Sequence, residues 1–331
     1  MLAMIRTMGD QLRWAVDLEV PSMKANRDFV VAGMGGSGIG GDFLGAATAP
    51  TDLSVYTHKD YAPLPGWVYR VEPVLIGASY SGNTEETLSV VSDATARGLD
   101  VAVVTTGGAL LEEATRSNWP AIEIPQGYQP RAALGHIFGA ALRILGRAAQ
   151  RDFRPDLAEA ADLVDGLLAE GSPGWESAAA LAEALAGKTV IVYGGGHLSG
   201  AAAQRWKTQI NENAKTPSWW SVLPEADHNE IVGWESRENG DGADIGIVAL
   251  QDSSDHERVR TRYSLTRELT EAVVTWAGMV ESTGASAVAR LFSLAAIGDL
   301  VSYMLATNAG VDPTPVDTIE KLKESLIGDD G

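Results

Sequence analysis

Cysteine is absent from the 331 residues. The chain therefore has no disulfide framework, no thiolate nucleophile and no thiolate metal ligand, and it fits a cytoplasmic protein. Positive charge is scarce. There are 25 Lys and Arg against 44 Asp and Glu, a formal net charge of −19. That mean field repels phosphate backbones and anionic lipid, so no nucleic-acid partner and no membrane partner is expected. An anionic ligand would have to be caught by locally aimed donors. No uninterrupted run of about 18 apolar residues occurs, so no spanning helix is expected. The N-terminus, Met1-Leu-Ala-Met-Ile-Arg6, lacks the apolar core and cleavage site of a secretory signal. Histidine is also rare. His58, His136, His197, His228 and His256 are the whole set, and none forms an H-E-x-x-H pair, which disfavours a zinc site.

What remains has a globular balance, with 45% hydrophobic and 21% charged residues. At about 100–200 residues per domain, the length predicts two domains. Residues 28–33, 73–79 and 101–105 read as short buried strands, and Glu85 to Arg97 reads as a helix between two of them. Strands alternating with helices predict an α/β fold with a parallel sheet covered on both faces. The pattern then restarts. Thr189-Val-Ile-Val-Tyr-Gly-Gly-Gly196 echoes Asp28-Phe-Val-Val-Ala-Gly-Met-Gly35 at an offset of 161 residues. Ile245-Gly-Ile-Val-Ala-Leu250 resembles the strand at 73–78. The spacing implies a duplicated unit, with a boundary near 150–155 that separates residues 1–153 from 154–331. Helices are expected over 132–149 and over 155–187, the latter broken near Gly171-Ser-Pro-Gly174. The copies differ. The second has no serine at the position of Ser37, and Gln251-Asp-Ser-Ser-Asp-His256 replaces Ser79-Tyr-Ser-Gly-Asn-Thr84. One copy keeps an anion site that the other has lost.

Two segments point to that site. Gly33-Met-Gly-Gly-Ser-Gly-Ile-Gly-Gly41 follows a strand and opens a helix, where glycines allow close backbone approach and the helix N-terminus favours an anion. Gly33, Gly35 and Gly38 also match a dinucleotide fingerprint, but neither Asp52 nor Asp60 plainly closes the next strand. A tight packing turn explains the glycines equally well. Ser79-Tyr-Ser-Gly-Asn-Thr-Glu-Glu-Thr87 is stronger. It places three hydroxyls within six residues beside a helix start, which suits a phosphate monoester. A helix cap would account for Asn83 as N-cap and Glu86 three residues on, but not for Ser79, Ser81 and Thr84 together.

These loops and the duplication resemble the sugar isomerase (SIS) fold. Two further segments, Arg205-Trp-Lys-Thr-Gln-Ile-Asn-Glu-Asn-Ala-Lys215 and Leu223-Pro-Glu-Ala-Asp-His-Asn-Glu230, look like those of the bifunctional phosphoglucose/phosphomannose isomerases. The resemblance runs over nearly the whole chain. It implies two SIS-type domains, each a parallel-sheet α/β sandwich with flanking helices. It also implies an isomerase that uses no metal and no cofactor and acts on hexose 6-phosphates. Carried onto this sequence, the phosphate-binding positions are Gly36, Ser37, Ser79, Ser81 and Thr84. Glu212 moves the proton between C1 and C2, and His228, supplied by a neighbouring subunit, assists ring opening. Arg131 steadies the enediolate, and Lys323 is the C-terminal site lysine. A homodimer with shared active sites follows.

The residues can also be weighed without the resemblance. A carboxylate suits proton transfer alpha to a carbonyl when it is shielded from water, yet a glutamate at a helix end is more often simply solvated. His228 could relay a proton to a ring oxygen, or it could be a hydrogen-bonded loop histidine beside Asp227 and Glu230. Arg131 begins a helix, the unfavourable end of the dipole for a cation. An anionic ligand there would reverse the cost, and solvent screening would also remove it. On a wheel from Pro315 to Ile327, Lys323 falls inside the face made by Val316, Ile319, Leu322, Leu326 and Ile327, whereas Lys321 falls opposite. Lys323 would either meet an anion or snorkel. Trp219, Trp220 and Trp234 read as core or subunit-interface aromatics, and residues 239–242 as a surface turn. Two other functions stay open: a sugar-phosphate sensor without catalysis, and a dinucleotide enzyme.

Overall fold

A computed structural model of the chain describes residues 1–237 and 244–328, so the turn expected at 239–242 lies outside it. Two short helices, α1 (Leu2–Ile5) and α2 (Met8–Val16), precede the first sheet unit. That unit runs β1 (Asp28–Ala32), α3 (Gly35–Thr48), β2 (Ser54–His58), α4 (Val68–Val71), β3 (Val74–Ser79), α5 (Glu85–Ala96), β4 (Val101–Thr105), α6 (Gly108–Arg116), β5 (Ala121–Glu123) and α7 (Leu134–Ala149). Helices α8 (Arg154–Leu168) and α9 (Pro173–Ala184) lead to the second. It runs β6 (Thr189–Gly194), α10 (His197–Gln209), β7 (Ser218–Val222), β8 (Ile245–Gln251), α11 (Glu257–Thr270), β9 (Thr275–Glu281) and α12 (Ala287–Asn308). Helix α13 (Asp317–Gly328) follows.

Both sheets are wholly parallel, in the orders β2-β1-β3-β4-β5 and β7-β6-β8-β9. The second order repeats the first, strand for strand, up to its fourth strand, so the duplication extends to topology. Strands β3 and β4 are buried at every position. Their near-continuous Val, Ile and Ala content is what a strand covered on both faces requires. The edge strands β2, β5 and β7 were not expected from the sequence. Their residues are shorter in run or mixed with Ser, Tyr, His and exposed Trp, because an edge strand has one flank open.

Helices α3 and α10, which follow equivalent strands, pack directly on each other. Both are rich in Gly and Ala, which allows close approach. Helix α12 lies against α8, α9, α10 and α3 and is almost wholly buried. It is long and apolar enough to cross a bilayer by length and composition, yet it behaves as a core helix joining both halves. Its buried Asp299 receives the guanidinium of Arg205 from α10, Nε to Oδ1 at 3.1 Å and Nη2 to Oδ2 at 2.6 Å. Each side chain is 1% exposed. Burial pushes the Asp299 carboxyl up, and the Arg205 charge pulls against it.

Removing one partner of such a pair strands the other charge in the core. Asp299→Ala is expected to cost about 3–5 kcal/mol in denaturant unfolding, whereas the Arg205→Met/Asp299→Leu double variant should recover most of it. A second expectation concerns His136, in the first turn of α7. Its ring lies edge-on to Trp14 and Tyr128, with centroids 4.9 and 5.3 Å away, and burial pushes its pKa down to about 4. The unfolded chain therefore takes up this proton first. The His136 contribution is intact above about pH 6.5 and is lost as pH falls toward 4. Over that window the melting temperature of wild type should fall further than that of His136→Phe, because only the wild type carries this acid penalty.

Candidate active site

In open parallel sheets, ligands collect beyond the carboxyl ends of strands where the strand order reverses. In the first unit that point lies between β1 and β3. The loops that leave these two strands are the glycine-serine turn and the hydroxyl-rich segment. Ser37 is buried in the first turn of α3. Gly36 has no room for a side chain, since a Cβ there would stand 2.9 Å from the Pro130 carbonyl oxygen and 3.3 Å from Arg131 Cα. Beyond β3, the Ser79 and Thr84 hydroxyls are 2.8 Å apart, and Gly82 N–H donates to Ser79 Oγ at 3.1 Å. The Ser81 hydroxyl accepts from Asn83 N–H at 3.2 Å. Asn83 does not cap α5, as the sequence suggested. Thr84 holds that position, and the Asn83 side chain instead accepts from Ala109 N–H, at 3.0 Å, at the start of α6. The loop is thus stitched to its neighbour, with the Ser79 and Thr84 hydroxyls paired and Ser81 exposed two residues after Ser79.

Asp60 stands closer to a strand end than expected, two residues past β2. Its carboxylate is spent on the Tyr61 N–H, at 2.8 Å. The β2-β1-β3-β4-β5 order also differs from that of dinucleotide-binding Rossmann sheets.

The second unit differs at the equivalent point. There the equivalent loops follow β6 and β8, and the carboxylate of Asp255 fills the space between them. It accepts from Gly196 N–H at 2.8 Å, from Asp252 N–H at 2.9 Å and from the Ser199 hydroxyl at 3.0 Å. Asp255 is buried, and the donors at the start of α10 are satisfied by the chain itself. One phosphate ester per chain is the expected calorimetric stoichiometry for the wild type. Two would mean that the second pair of loops is open.

Arg131 joins the first unit to the second. It sits in a 3-10 turn, Pro130–Ala132, before α7, and its side chain is 3% exposed. Solvent screening therefore does not explain its position. Its backbone abuts Gly36, and its guanidinium reaches the segment after α10. Nε donates to Asn213 Oδ1 at 2.8 Å, and Nη1 faces Gln129 Oε1 at 3.3 Å and Glu212 Oε2 at 3.4 Å. Nη2 donates to the carbonyls of Pro313 and Thr314 at 2.7 and 2.9 Å. Burial lowers the guanidinium pKa, opposed by Glu212 and then Asp299.

Glu212 lies in a π-helical turn, Ile210–Ala214, that continues α10. Such turns redirect side chains and recur at functional sites. Here Asn211 and Glu212 border one cleft while Asn213 turns inward. Asn211 accepts from Ser218 N–H at 2.8 Å, Asn213 points into the core, and Glu212, 27% exposed, faces a cleft of about 480 Å³. Lys215, Pro315 and Ile319 also line the cleft. The Lys215 ammonium donates to the Glu212 carbonyl and, at 2.6 Å, to the Pro315 carbonyl. Burial and then Arg131 lower its pKa.

Two expected residues stand apart. His228 is exposed at the end of a 3-10 turn, Glu225–His228, beyond β7. Asp227 anchors that turn to α11 through Arg262 and Thr266, at 2.9 and 2.8 Å, and no hydrogen bond joins His228 to Glu212 among the described residues. Lys323 is exposed on α13, and so are Ile319, Leu322 and Leu326. The apolar face read from the wheel is real, but within one chain it is not buried, so Lys323 lies in no buried stripe here. Trp234 is core, whereas Trp219 and Trp220 are exposed. Sequence reasoning missed Gln129, Asn213, Lys215 and the carbonyls of 313–315. The only signal was the pair of amides flanking Glu212.

Comparison with known proteins identifies the family. Residues 175–326 match the family model for the bacterial phospho-glucose isomerase C-terminal SIS domain. A bifunctional phosphoglucose/phosphomannose isomerase from Caldicellulosiruptor bescii is 39% identical, over 90% of this chain and 88% of its own length. A D-glucosamine-6-phosphate 4-epimerase from Sulfolobus acidocaldarius is 30% identical, over 94% and 92%. Among solved structures, the C-terminal domain of glucosamine-fructose-6-phosphate aminotransferase from Francisella tularensis superposes with a TM-score of 0.67, at 15% identity, over 94% of this chain and 96% of that one. With two duplicated parallel sheets, hydroxyl loops at one reversal point and relatives matched along nearly their whole length, the chain belongs to the bifunctional phosphoglucose/phosphomannose isomerase family of SIS-fold proteins.

Proposed function

We propose that this chain interconverts glucose 6-phosphate, and mannose 6-phosphate as well, with fructose 6-phosphate through a cis-enediolate. The reaction uses no metal or organic cofactor and takes place in the cytoplasm. The observation that carries the reading is Arg131, whose backbone borders the phosphate-loop turn at Gly36 while its guanidinium borders Glu212. A sugar phosphate anchored at the loops would reach toward that carboxylate.

In this reading Ser37, Ser79, Ser81 and Thr84, with the free amides near Gly36, hold the ester oxygens. Glu212 removes the proton from C2 of the aldose and returns it to C1. The charge that develops on the enediolate oxygen is met by Arg131, whose position is fixed before substrate arrives. Ring opening needs a proton relay at the ring oxygen, which is the role of the partner subunit's His228. Support for a homodimer comes from the exposed Trp219 and Trp220 on the edge strand β7, six or more residues before His228, and from the exposed apolar face of α13 that carries Lys323. Covering β7 with a second copy would carry the histidine turn across to another chain's cleft. The epimerase relative makes glucosamine 6-phosphate the instructive competitor substrate.

Glu212→Gln should abolish isomerisation and C2 proton exchange in heavy water while leaving hexose 6-phosphate binding nearly intact. His228→Ala should slow turnover of ring-closed substrate. If the site is shared, mixing the two variants under subunit exchange restores about a quarter of wild-type activity, since half the dimers then hold one intact site of two. No recovery on mixing would place both residues in one chain's site. Full turnover by Glu212→Gln, or saturable binding without any exchange in the wild type, would refute the proposed chemistry. A chelator should leave the rate unchanged.

A further inference from the structure

Asn213 is fully buried, polar and one residue from the proposed base. It belongs to a closed ring of hydrogen bonds. Arg131 Nε donates to Asn213 Oδ1 at 2.8 Å, and Asn213 Nδ2 donates to Ser302 Oγ at 2.9 Å. The Ser302 hydroxyl donates to the Asp299 carbonyl at 2.8 Å. The Asp299 carboxylate holds Arg205, whose Nη2 donates to the Arg131 carbonyl at 3.1 Å. The ring leaves Arg131 at its side chain and returns to it at its backbone. A primary amide can accept from a guanidinium on one side and donate to a hydroxyl on the other. The amide orientation is fixed by its neighbours, because Nε–H can only donate and Ser302 has already spent its proton.

The ring also decides where Arg131 aims. With Nε tied to Asn213 and Nη2 tied to two carbonyls, Nη1 is the nitrogen left facing Glu212. We infer that Asn213 is a positioning residue that sets the guanidinium of Arg131 against the reacting carbons through its Nε contact. This deepens the isomerase reading and rests on it for the kinetic arm of the test, but not for the spectroscopic arm.

The experiment compares Asn213→Ala with Ser302→Ala, which disturbs the same buried ring without removing the Arg131 contact. For Asn213→Ala, kcat is expected to fall roughly 10–100-fold, the scale of a small misplacement, with KM for fructose 6-phosphate within about twofold because the phosphate loops are untouched. Affinity for a hydroxamate analogue of the enediolate should fall by the same factor as kcat. Ser302→Ala should keep kcat within about threefold of wild type. Independently of turnover, nitrogen-15 NMR should show the Arg131 Nε–H protected in wild type and Ser302→Ala but rapidly exchanging in Asn213→Ala. If Asn213→Ala does not fold, Asn213→Asp, which keeps the acceptor and neutralises the guanidinium, should show an approximately tenfold loss of kcat at unchanged KM. Wild-type kcat in the folded variant, losses of kcat that track melting temperature equally in the alanine variants, or an unchanged Arg131 Nε–H would overturn the inference. A wild-type chain that isomerises no hexose 6-phosphate would instead refute the proposed function, leaving the NMR arm to judge the positioning role.

Discussion

The molecule is organised around one buried guanidinium. Arg131 has five N–H donors, and each finds an acceptor: Asn213, Gln129, Glu212 and the carbonyls of Pro313 and Thr314. Taking a charge out of water is costly unless its hydrogen bonds are replaced, and here they are replaced from three separate stretches of chain. Only one of the five acceptors is charged, and it is the most distant at 3.4 Å. The cation is therefore solvated by the protein without being neutralised by it. That is the condition under which a positive group can still answer negative charge developing nearby.

The same economy shapes the two sheet units. Both offer a pair of loops at the reversal of strand order, with backbone donors at a helix start. In the first, among the described residues, no carboxylate of the chain bonds to the Ser79 and Thr84 hydroxyls, which pair with each other. In the second Asp255 supplies the anion from within, held by Gly196, Ser199 and Asp252. The two copies of the scaffold thus differ in whether a carboxylate of the chain bonds to the loop donors. The second copy then contributes what the first lacks, a carboxylate on a π-helical turn and the helices that brace it.

The central strands were legible in the sequence because burial on both faces leaves an unbroken apolar run. β1, β3, β4, β6 and β8 all carry that mark. The edge strands β2 and β7 were not, because Ser, Tyr, His and exposed Trp break the run there. The hydroxyl loop could be found from composition, but its partners could not. Asn83 looked like a cap for the helix that follows it, and only tertiary contact assigns it to α6. Arg131 was suspect from its place at a helix start, a local cue. Asp255 gave no such cue, and Asn213 only its place beside Glu212, since their meaning depends on residues 56–59 and 82 positions earlier. Lys323 shows the opposite failure. The wheel correctly found an apolar face, but periodicity says nothing about whether one chain alone covers it.

The grip of Arg131 on the carbonyls of Pro313 and Thr314 has a consequence for synthesis. Those two acceptors follow β1 to β9 in the chain, so they are the last part of the guanidinium's hydrogen-bonding shell to be synthesised. A chain that ended before residue 313 would hold every one of those strands and α12, yet leave the guanidinium short of two of its five acceptors.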